Sequence, residues 1–257
     1  MSIFTSGKLK TDPLKGALNM LLLVVFLIAA FWFSLSRIGI EFDFSFLPAL
    51  QTRVFEGFLV TILISVCSLV LSLILGITSA ILQDSRILML RYLAKGYVAF
   101  IRGTPLIMQI YLFYYIVGTA FGIENRYLCG ILILSIFEGA YISEIIRGSL
   151  LSMDATQLEA AKAVGFTKRQ TITLVILPQL VARTLPALTG QFASIVKDSS
   201  LLSMIAVIEL TQTMREISAT NFKLFECYLF LGGLYLLLTL PITFISKRLE
   251  RRFNYEA

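Results

Sequence analysis

The sequence contains no histidine, and this absence excludes several kinds of chemistry at once. A chain without histidine has no Ser-His-Asp or Cys-His catalytic group and no histidine-ligated metal site. Cysteine is also scarce: Cys67, Cys129 and Cys227 lie far apart in three apolar stretches, and no C-x-x-C pair occurs. Zinc binding and dithiol chemistry are therefore poor interpretations of this chain.

Sequence patterns for binding nucleotides and nucleic acids are missing as well. No G-x-x-x-x-G-K-[ST] sequence occurs, so the chain does not bind ATP through a P-loop. Any ATP hydrolysis that drives the protein must belong to another subunit. The net charge is +6, but no basic groove with interleaved aromatic residues is encoded, which argues against a nucleic-acid partner.

Charge is sparse, and apolar residues dominate in its place. Charged residues make up 15% of the 257 residues and hydrophobic residues 57%, a composition typical of polytopic membrane proteins. Six stretches are each long enough to cross a bilayer as a helix: 17–36, 57–82, 103–123, 129–147, 184–208 and 227–246. The sequence therefore predicts an all-α membrane protein with about six transmembrane helices and no internal repeat.

The distribution of lysine and arginine predicts the orientation of these helices. If the N-terminus is cytosolic, the four inner stretches hold sixteen of these residues and the outer stretches hold five. This bias obeys the positive-inside rule, so both termini and the loop at residues 154–178 are expected in the cytosol. The topology also accounts for the net positive charge.

The first apolar stretch admits two interpretations. Lysines in residues 1–16 followed by an apolar run are typical of a signal peptide, but a run of about 20 residues is longer than a usual signal core. The only weak cleavage signal is Ser34-Leu35-Ser36. We expect a retained transmembrane helix, and a removed signal peptide is the alternative.

Residues 154–178 form the one long polar segment of the chain. The residues from Asp154 onward are strong helix formers, and Gly165 suits the positive φ at a helix C-terminus. Thr167 and Gln170 form a capping-box pattern for a second helix. That helix is expected to run to residue 177 and to break or kink at Pro178. The segment predicts a rigid helical hairpin that a soluble partner can contact.

At this hairpin a known family becomes recognisable. Glu159-Ala160-Ala161, Gly165 and Val175-Ile176-Leu177-Pro178 resemble, in residue type and spacing, the EAA loop of permease subunits of ABC importers. Val175 replaces the usual isoleucine. Other stretches resemble the subgroup for polar amino acids of the histidine, glutamate, glutamine, arginine and opine type. These stretches are Arg102-Gly103-Thr104-Pro105, Ala140-Tyr141 with Glu144 and Arg147-Gly148, and Lys197-Asp198-Ser199-Ser200-Leu201.

The resemblance implies a MetI-like permease domain at 56–253, with five core helices and a cytosolic coupling-helix hairpin. Residues 1–55 would add a cytosolic tail, an extra transmembrane helix and an outer loop. It implies a bacterial inner-membrane subunit that imports amino acids by alternating access, without a catalytic site or a cofactor of its own. A separate subunit would hydrolyse ATP with magnesium. The other partners would be membrane lipid, a second permease (a copy or a paralogue) and a periplasmic or lipid-anchored binding protein.

Two groups of residues are candidates for function. Glu159, Ala160, Ala161 and Gly165 are expected to couple the permease to the ATPase. Glu138 lies midway along a span, where a carboxylate is costly enough to indicate a functional role, and the alternative is a structural carboxyl group. The remaining candidates for the substrate pathway are Gln109, Tyr111, Lys197, Asp198 and Ser199.

Several local patterns add structural expectations. Thr104 is expected to cap a helix that begins at Pro105, after a basic linker at residues 84–102. Asp198 is expected to cap a helix inside the fifth span, which would break that span, and a structural contact with Lys197 is the alternative. Residues 209–226 are expected to form a solvated outer loop. Thr61, Ser65, Ser68 and Ser72 form a small polar stripe that favours helix packing, and a wetted path is the alternative.

Other classes of protein fit the sequence less well. A stand-alone secondary transporter or channel would need no ATPase and usually shows repeated halves, which this chain lacks. A membrane enzyme would need catalytic groups that the sequence does not contain. A non-transporting assembly subunit is a third alternative, and it would tolerate substitution of the charges within its spans.

Overall fold

The computed structural model describes residues 13–39 and 42–253, and the ordered elements within them are helical. The chain divides into two compact units, Met1–Phe44 and Ser45–Ala257. The first unit contains α1 (Pro13–Ile38), which ends at Gly39 with a φ of +72°. The second unit contains all the other helices, and it holds the core and every polar cluster described below.

The second unit is a bundle of long helices joined by short ones. Its order is a 3-10 turn (Pro48–Leu50), α2 (Gln51–Gln83), α3 (Leu88–Gly103), α4 (Leu106–Tyr111) with a π-helical continuation (Leu112–Gly118), α5 (Arg126–Leu151), α6 (Ala155–Ala163), α7 (Lys168–Gln170) with a π-helical continuation (Thr171–Ile176), α8 (Leu177–Asp198) with a 3-10 continuation (Ser199–Ile205), α9 (Leu210–Asn221) and α10 (Leu224–Phe253).

Five helical stretches among the described residues are long and apolar enough to cross a membrane. They are Leu14–Ile38, Pro48–Gln83, Arg126–Leu151, Lys168–Ile205 and Leu224–Glu250. The pair Leu88–Gly103 and Leu106–Gly118, bent by 115°, becomes a sixth if it is counted as one broken span. The predicted all-α membrane architecture is confirmed.

The core of the second unit is the close contact of α2 with α5. The small polar side chains predicted as a stripe on α2 are fully buried rather than wetted. The Ser68 hydroxyl donates to the Ile131 carbonyl at 3.4 Å, and the Ser135 hydroxyl donates to the Ser68 carbonyl at the same distance. Thr61 accepts a hydrogen bond from the Leu210 amide at 3.0 Å. These residues let helix backbones approach closely, so the packing interpretation of the stripe is correct.

Gly76 sits where α2 and α5 approach most tightly, and Gly76→Ala is expected to destabilise the fold by about 1–3 kcal/mol. An added Cβ would lie 2.5 Å from Cγ2 of Ile142 and 3.0 Å from the Gly139 carbonyl oxygen. Thermal unfolding in detergent measures the loss. Gly96→Ala in α3 is the matched control, because no atom lies within 4 Å of its added Cβ. Equal unfolding temperatures for the two variants would contradict the prediction.

The expected linker at residues 84–102 is wrong, because most of it is helix α3. Three apolar residues on one face of this helix, Ala94, Val98 and Ile101, are buried, and that burial stabilises a helix in a charged stretch. The expected capping by Thr104 is also wrong. Pro105 is the residue before the helix, α4 begins at Leu106, and Thr104 closes α3 by donating to the Phe100 carbonyl at 2.8 Å.

The expected break at Pro178 is also absent, because the helix continues through this residue. The proline lies at the start of α8, directly after the π-helical turn Thr171–Ile176. Backbone hydrogen bonding changes register at such a turn, so the amide that proline lacks is not needed in a regular ladder. The stretch Lys168–Ile205 therefore runs from the hairpin into the membrane without interruption.

The fifth span does change its helical form, but not through a cap at Asp198. Asp198 is the last residue of α8 and makes no capping hydrogen bond to the following turn, which is a 3-10 segment that ends at Ala206 with a φ of +55°. The expectation that Asp198 starts a new helix is therefore wrong. The 3-10 segment runs to Ile205, seven residues after Asp198, and the left-handed Ala206 follows it.

The expectation of a solvated loop at residues 209–226 is wrong. This segment contains helix α9, whose N-terminus is capped by a buried carboxylate. The fully buried Glu209 caps α9 by accepting from the Thr211 amide at 2.7 Å and the Gln212 amide at 2.8 Å. The Tyr235 hydroxyl donates to the same carboxylate at 3.0 Å. Burial raises the pKa of Glu209 from its ordinary 4.5 to about 7, although these hydrogen bonds oppose the shift.

Glu209 is expected to make the protein less stable as the pH rises. A carboxyl group whose pKa is raised in the folded state holds its proton better when folded, so its contribution is present at low pH and is lost as the pH passes about 7. The loss between pH 5.5 and 8.5 is on the order of 2 kcal/mol. Unfolding temperatures in detergent measure it, and Glu209→Gln should flatten this difference. An unchanged pH dependence in Glu209→Gln would contradict the assignment.

Candidate functional site

The predicted hairpin is present, and its first helix is capped at both ends. Asp154 accepts from the Thr156 amide at 3.0 Å, and this hydrogen bond lowers the pKa of the Asp154 carboxyl group. At the other end Gly165 has a φ of +82°, as expected. Its amide donates to the Lys162 carbonyl and the Phe166 amide to the Ala161 carbonyl, both at 3.0 Å. This pair of bonds is a Schellman motif, which fixes the direction of the turn.

The predicted capping box starts the second helix of the hairpin. The Thr167 amide donates to the Gln170 side-chain oxygen at 2.8 Å, and the Gln170 amide donates to the Thr167 hydroxyl at 3.3 Å. The turn between the two helices is therefore only a few residues long, with its backbone amides satisfied on either side.

The coupling candidates differ in which way they face. Glu159, Ala160 and Gly165 are exposed, whereas Ala161 is 5% exposed and packs against the protein itself. A partner can therefore touch the first three but not Ala161. Val164 at the tip is 74% exposed, and sequence reasoning missed it because a single valine carries no positional signal. Together these residues make a small apolar surface with one carboxylate.

A second polar cluster lies inside the membrane-spanning helices, around Glu138 of α5. Glu138 is fully buried, and the Gln191 side-chain amide of α8 donates to its Oε2. The Asp198 side chain lies near the same carboxyl group, whose buried Oε1 has no hydrogen-bond partner among the described residues. Sequence reasoning missed Gln191, although it lies seven residues before Asp198 and therefore on the same face of α8.

The other pathway candidates are less closely associated with Glu138. The Gln109 amide donates to the Ile101 carbonyl at 2.8 Å and to the Thr104 hydroxyl at 2.7 Å, which holds the bend between α3 and α4. Tyr111 is partly exposed and stacks on Tyr115. Lys197 is exposed, and the buried Ser199 donates to the Val196 carbonyl at 2.8 Å. Of the predicted residues, the structure brings together Glu138 and Asp198.

Glu144 joins two helix ends near the hairpin. It pairs with Arg147 at 3.0 Å and also with Arg102 of α3 at 3.1 Å. The Arg102 guanidinium lies over the Tyr141 ring, 5.6 Å from its centre. The Arg102 contact could not be predicted from local patterns, because 42 positions separate Arg102 from Glu144. The Arg102–Glu144 ion pair holds the end of α3 against α5.

Long apolar helices, a buried polar cluster between two of them and a rigid exposed hairpin define the membrane component of a transport system. Residues 72–255 match the family described as binding-protein-dependent transport system inner membrane component. The chain belongs to this family, and it is a multi-pass inner-membrane permease component of an ABC transporter, not the ATPase subunit.

This chain aligns with nearly the whole length of similar proteins. The glutamine transport system permease protein GlnP of Escherichia coli (strain K12) is 35% identical over 217 residues, which is 83% of this chain and 99% of that one. The probable glutamine ABC transporter permease protein GlnM of Bacillus subtilis (strain 168) is 34% identical over 202 residues, 77% and 94% of the two chains.

The fold is also similar to solved structures. A crystal structure of an amino acid ABC transporter with histidines aligns with a TM-score of 0.77 at 29% identity, covering 83% of this chain and 100% of that chain. An inward-facing structure of the MetNI methionine ABC transporter aligns with a TM-score of 0.63 at 19% identity. The second likeness concerns the fold alone. The predicted family and permease fold are confirmed.

Proposed function

We propose that this permease imports polar amino acids, and that the exposed hairpin at residues 154–178 receives the motion that drives transport. The names of its relatives support the substrate class, since glutamine permeases recur among them. The geometry of the hairpin carries the mechanism. Two capped helices joined by a Schellman turn present Glu159 and Ala160 outward, where a groove on an ATPase can hold them.

The proposed assembly has four kinds of component. A second permease, either a copy or a paralogue, pairs with this chain, and two ATP-binding subunits hydrolyse ATP with magnesium. A periplasmic or lipid-anchored protein delivers the amino acid from outside. Both termini and the hairpin lie in the cytosol, as the lysine and arginine bias predicts. Residues 56–253 form the permease domain, and residues 1–55 supply the tail, the added helix and the outer loop.

Alternating access follows from these parts. Closure of the ATPases moves the hairpin, and the long helices reopen on the other side of the membrane. Exposed Glu159 provides an interfacial charge, Ala160 permits close approach, and Gly165 fixes the turn, while buried Ala161 holds the hairpin to its own subunit. An interfacial charge pair contributes a few kcal/mol.

The buried cluster is proposed as the part of the pathway that meets the substrate. Glu138 and Asp198 supply two carboxyl groups between α5 and α8, and a carboxyl group at membrane depth favours a cationic partner such as an ammonium group. Lys197, Ser199 and Tyr111 remain candidates for the rest of this path, and Gln109 holds the bend between α3 and α4.

Uptake by proteoliposomes tests the proposal. The permease is reconstituted with its ATPase and binding protein, and radiolabelled glutamine and cystine are followed with and without internal or external ATP. Uptake that requires ATP, the ATPase and the binding protein supports an importer. Uptake by the permease alone would reject this function in favour of a stand-alone transporter.

A further inference from the structure

Two polar contacts join the hairpin to the first turns of α8. In the first, Nη1 of Arg183 donates to the Ser152 carbonyl at 2.7 Å and contacts the Ser152 hydroxyl at 2.8 Å. Ser152 ends α5, where the last carbonyl groups of the helix lack intrahelical partners. A cation at a helix C-terminus is also favoured by the helix dipole. Arg183 therefore caps α5 from a different helix, just before the hairpin begins.

The second contact lies one helical turn earlier on α8. The Gln179 side-chain amide donates to Oε1 of Gln157 at 2.6 Å, which ties α8 to α6. Gln179 and Arg183 are four residues apart, so their side chains project from the same face of α8. One helix face thus holds both the end of α5 and the first helix of the hairpin.

We propose that Gln157–Gln179 and Ser152–Arg183 form a two-point clamp that makes the hairpin and α8 move as one rigid lever. The four residues are positioning residues for coupling, and the inference deepens the proposed function of the same hairpin. The second helix of the hairpin already continues into α8, so the clamp acts on α6. Without it, α6 is held by the chain at Ser152–Asp154, the turn at Gly165 and the packing of Ala161, and a displaced α6 would shift against α8 instead of moving with it.

The clamp has a direct route to the buried cluster. Gln191 lies eight residues after Arg183, about 12 Å along the same helix, and its side chain contacts Glu138 of α5. Both helices that the clamp joins at the cytosolic side therefore meet again at Glu138. A displacement of the clamped end changes the relation of α5 to α8 at that buried contact.

Removal of the clamp is expected to separate transport from ATP hydrolysis. In the reconstituted complex, Arg183→Met combined with Gln179→Met should lower the amino acid transported per ATP hydrolysed at least threefold, with basal ATPase activity retained. Arg183→Lys keeps a cation at the end of α5 and should restore part of that ratio. Arg86→Met, at an exposed arginine outside the hairpin, is the matched control. A transport-to-ATP ratio equal to that of the unchanged complex would overturn the proposal.

A chemical crosslink that holds the Gln157–Gln179 contact closed is the complementary test. Gln157→Cys and Gln179→Cys are joined by a short, reducible bis-methanethiosulfonate linker, because a direct disulfide requires Cα atoms within about 7 Å. A closed clamp is compatible with a rigid lever, so crosslinked protein should keep coupled uptake. Loss of uptake that a reductant restores would show that the contact must open, and would overturn the clamp. The controls are the two variants with one added cysteine and the unchanged protein with its three native cysteines, all treated with the same linker.

The two hypotheses fail in different ways. If the importer function is wrong, the unchanged complex shows no ATP-dependent uptake. If only the clamp is wrong, the unchanged complex transports while the methionine variant keeps the normal ratio or the crosslinked variant is reversibly inactive.

Discussion

Gly165→Pro is expected to reduce ATP-dependent uptake at least tenfold while the permease still inserts and folds. The φ of Gly165 is +82°, and its amide donates to the Lys162 carbonyl at 3.0 Å. Proline fixes φ near −65° and has no amide hydrogen, so it cannot form this turn. The hairpin would lose its Schellman motif and its fixed direction. Substrate-stimulated ATPase activity and uptake in proteoliposomes measure the effect, and normal values for both would reject it.

Matched variants distinguish an effect specific to the turn at Gly165 from a general effect of backbone strain. Gly165→Asn should keep most activity, because asparagine tolerates the left-handed conformation. Gly122→Pro makes the same two changes on a different turn, where φ is +66° and the Gly122 amide donates to the Thr119 carbonyl, and it should leave coupling intact. Glu159→Lys changes no backbone, yet reversal of its exposed charge should also impair coupling. If Gly122→Pro and Gly165→Pro lower uptake equally, the hairpin has no special role.

Much of this hairpin could be predicted from the sequence, because its determinants are local. Gly165, Thr167 and Gln170 act on backbone groups within a few positions of themselves, and each was placed correctly, whereas the cap at Asp154 was not predicted although it is equally local. The family match extends the argument, since the same local order recurs in the EAA loop. The outward or inward direction of individual residues was not accessible, because burial of Ala161 depends on what packs beneath α6.

The features that were missed depend on distant contacts. Helix α3 belongs to the core only because its buried apolar residues contact α2 and α5, which its own basic sequence does not reveal. Glu209 caps a helix only because Tyr235 and the packing around it accommodate a buried carboxylate. The Arg102–Glu144 pair and the Arg183–Ser152 contact join positions that are 42 and 31 residues apart. No local pattern encodes such pairs.

The residues that lie beside Glu138 could be predicted only in part. The expectation for Asp198 was wrong as a helix cap, yet the residue does join the buried cluster. Gln191 had a usable signal, since a glutamine seven residues before an aspartate in an apolar run places two polar groups on one helix face. The carboxylate it faces on α5 could be identified only from the packing of the two helices.

Glu138→Gln is expected to lower uptake by about 10- to 100-fold while the fold is retained. The glutamine has the same shape, and its side-chain oxygen can still accept the hydrogen bond of Gln191, so the α5–α8 contact persists. The charge that would hold a substrate ammonium group is removed. A hydrogen bond to a charged group contributes about 1.5–3 kcal/mol, which corresponds to that range. Initial rates of uptake at several amino-acid concentrations measure the change.

Uptake, substrate range and unfolding temperature together decide whether Glu138 binds the substrate or has a structural role. Loss of an ammonium contact should weaken uptake of every α-amino acid and should leave the unfolding temperature near that of the unchanged protein. A structural carboxyl group would behave differently, because Glu138→Gln would then leave uptake and substrate range unchanged. Glu124→Gln, at an exposed glutamate outside the long helices, controls for loss of one negative charge. Gln191→Met removes the amide that positions Glu138 but keeps the carboxylate, so it should impair uptake less than Glu138→Gln if the charge itself meets the substrate.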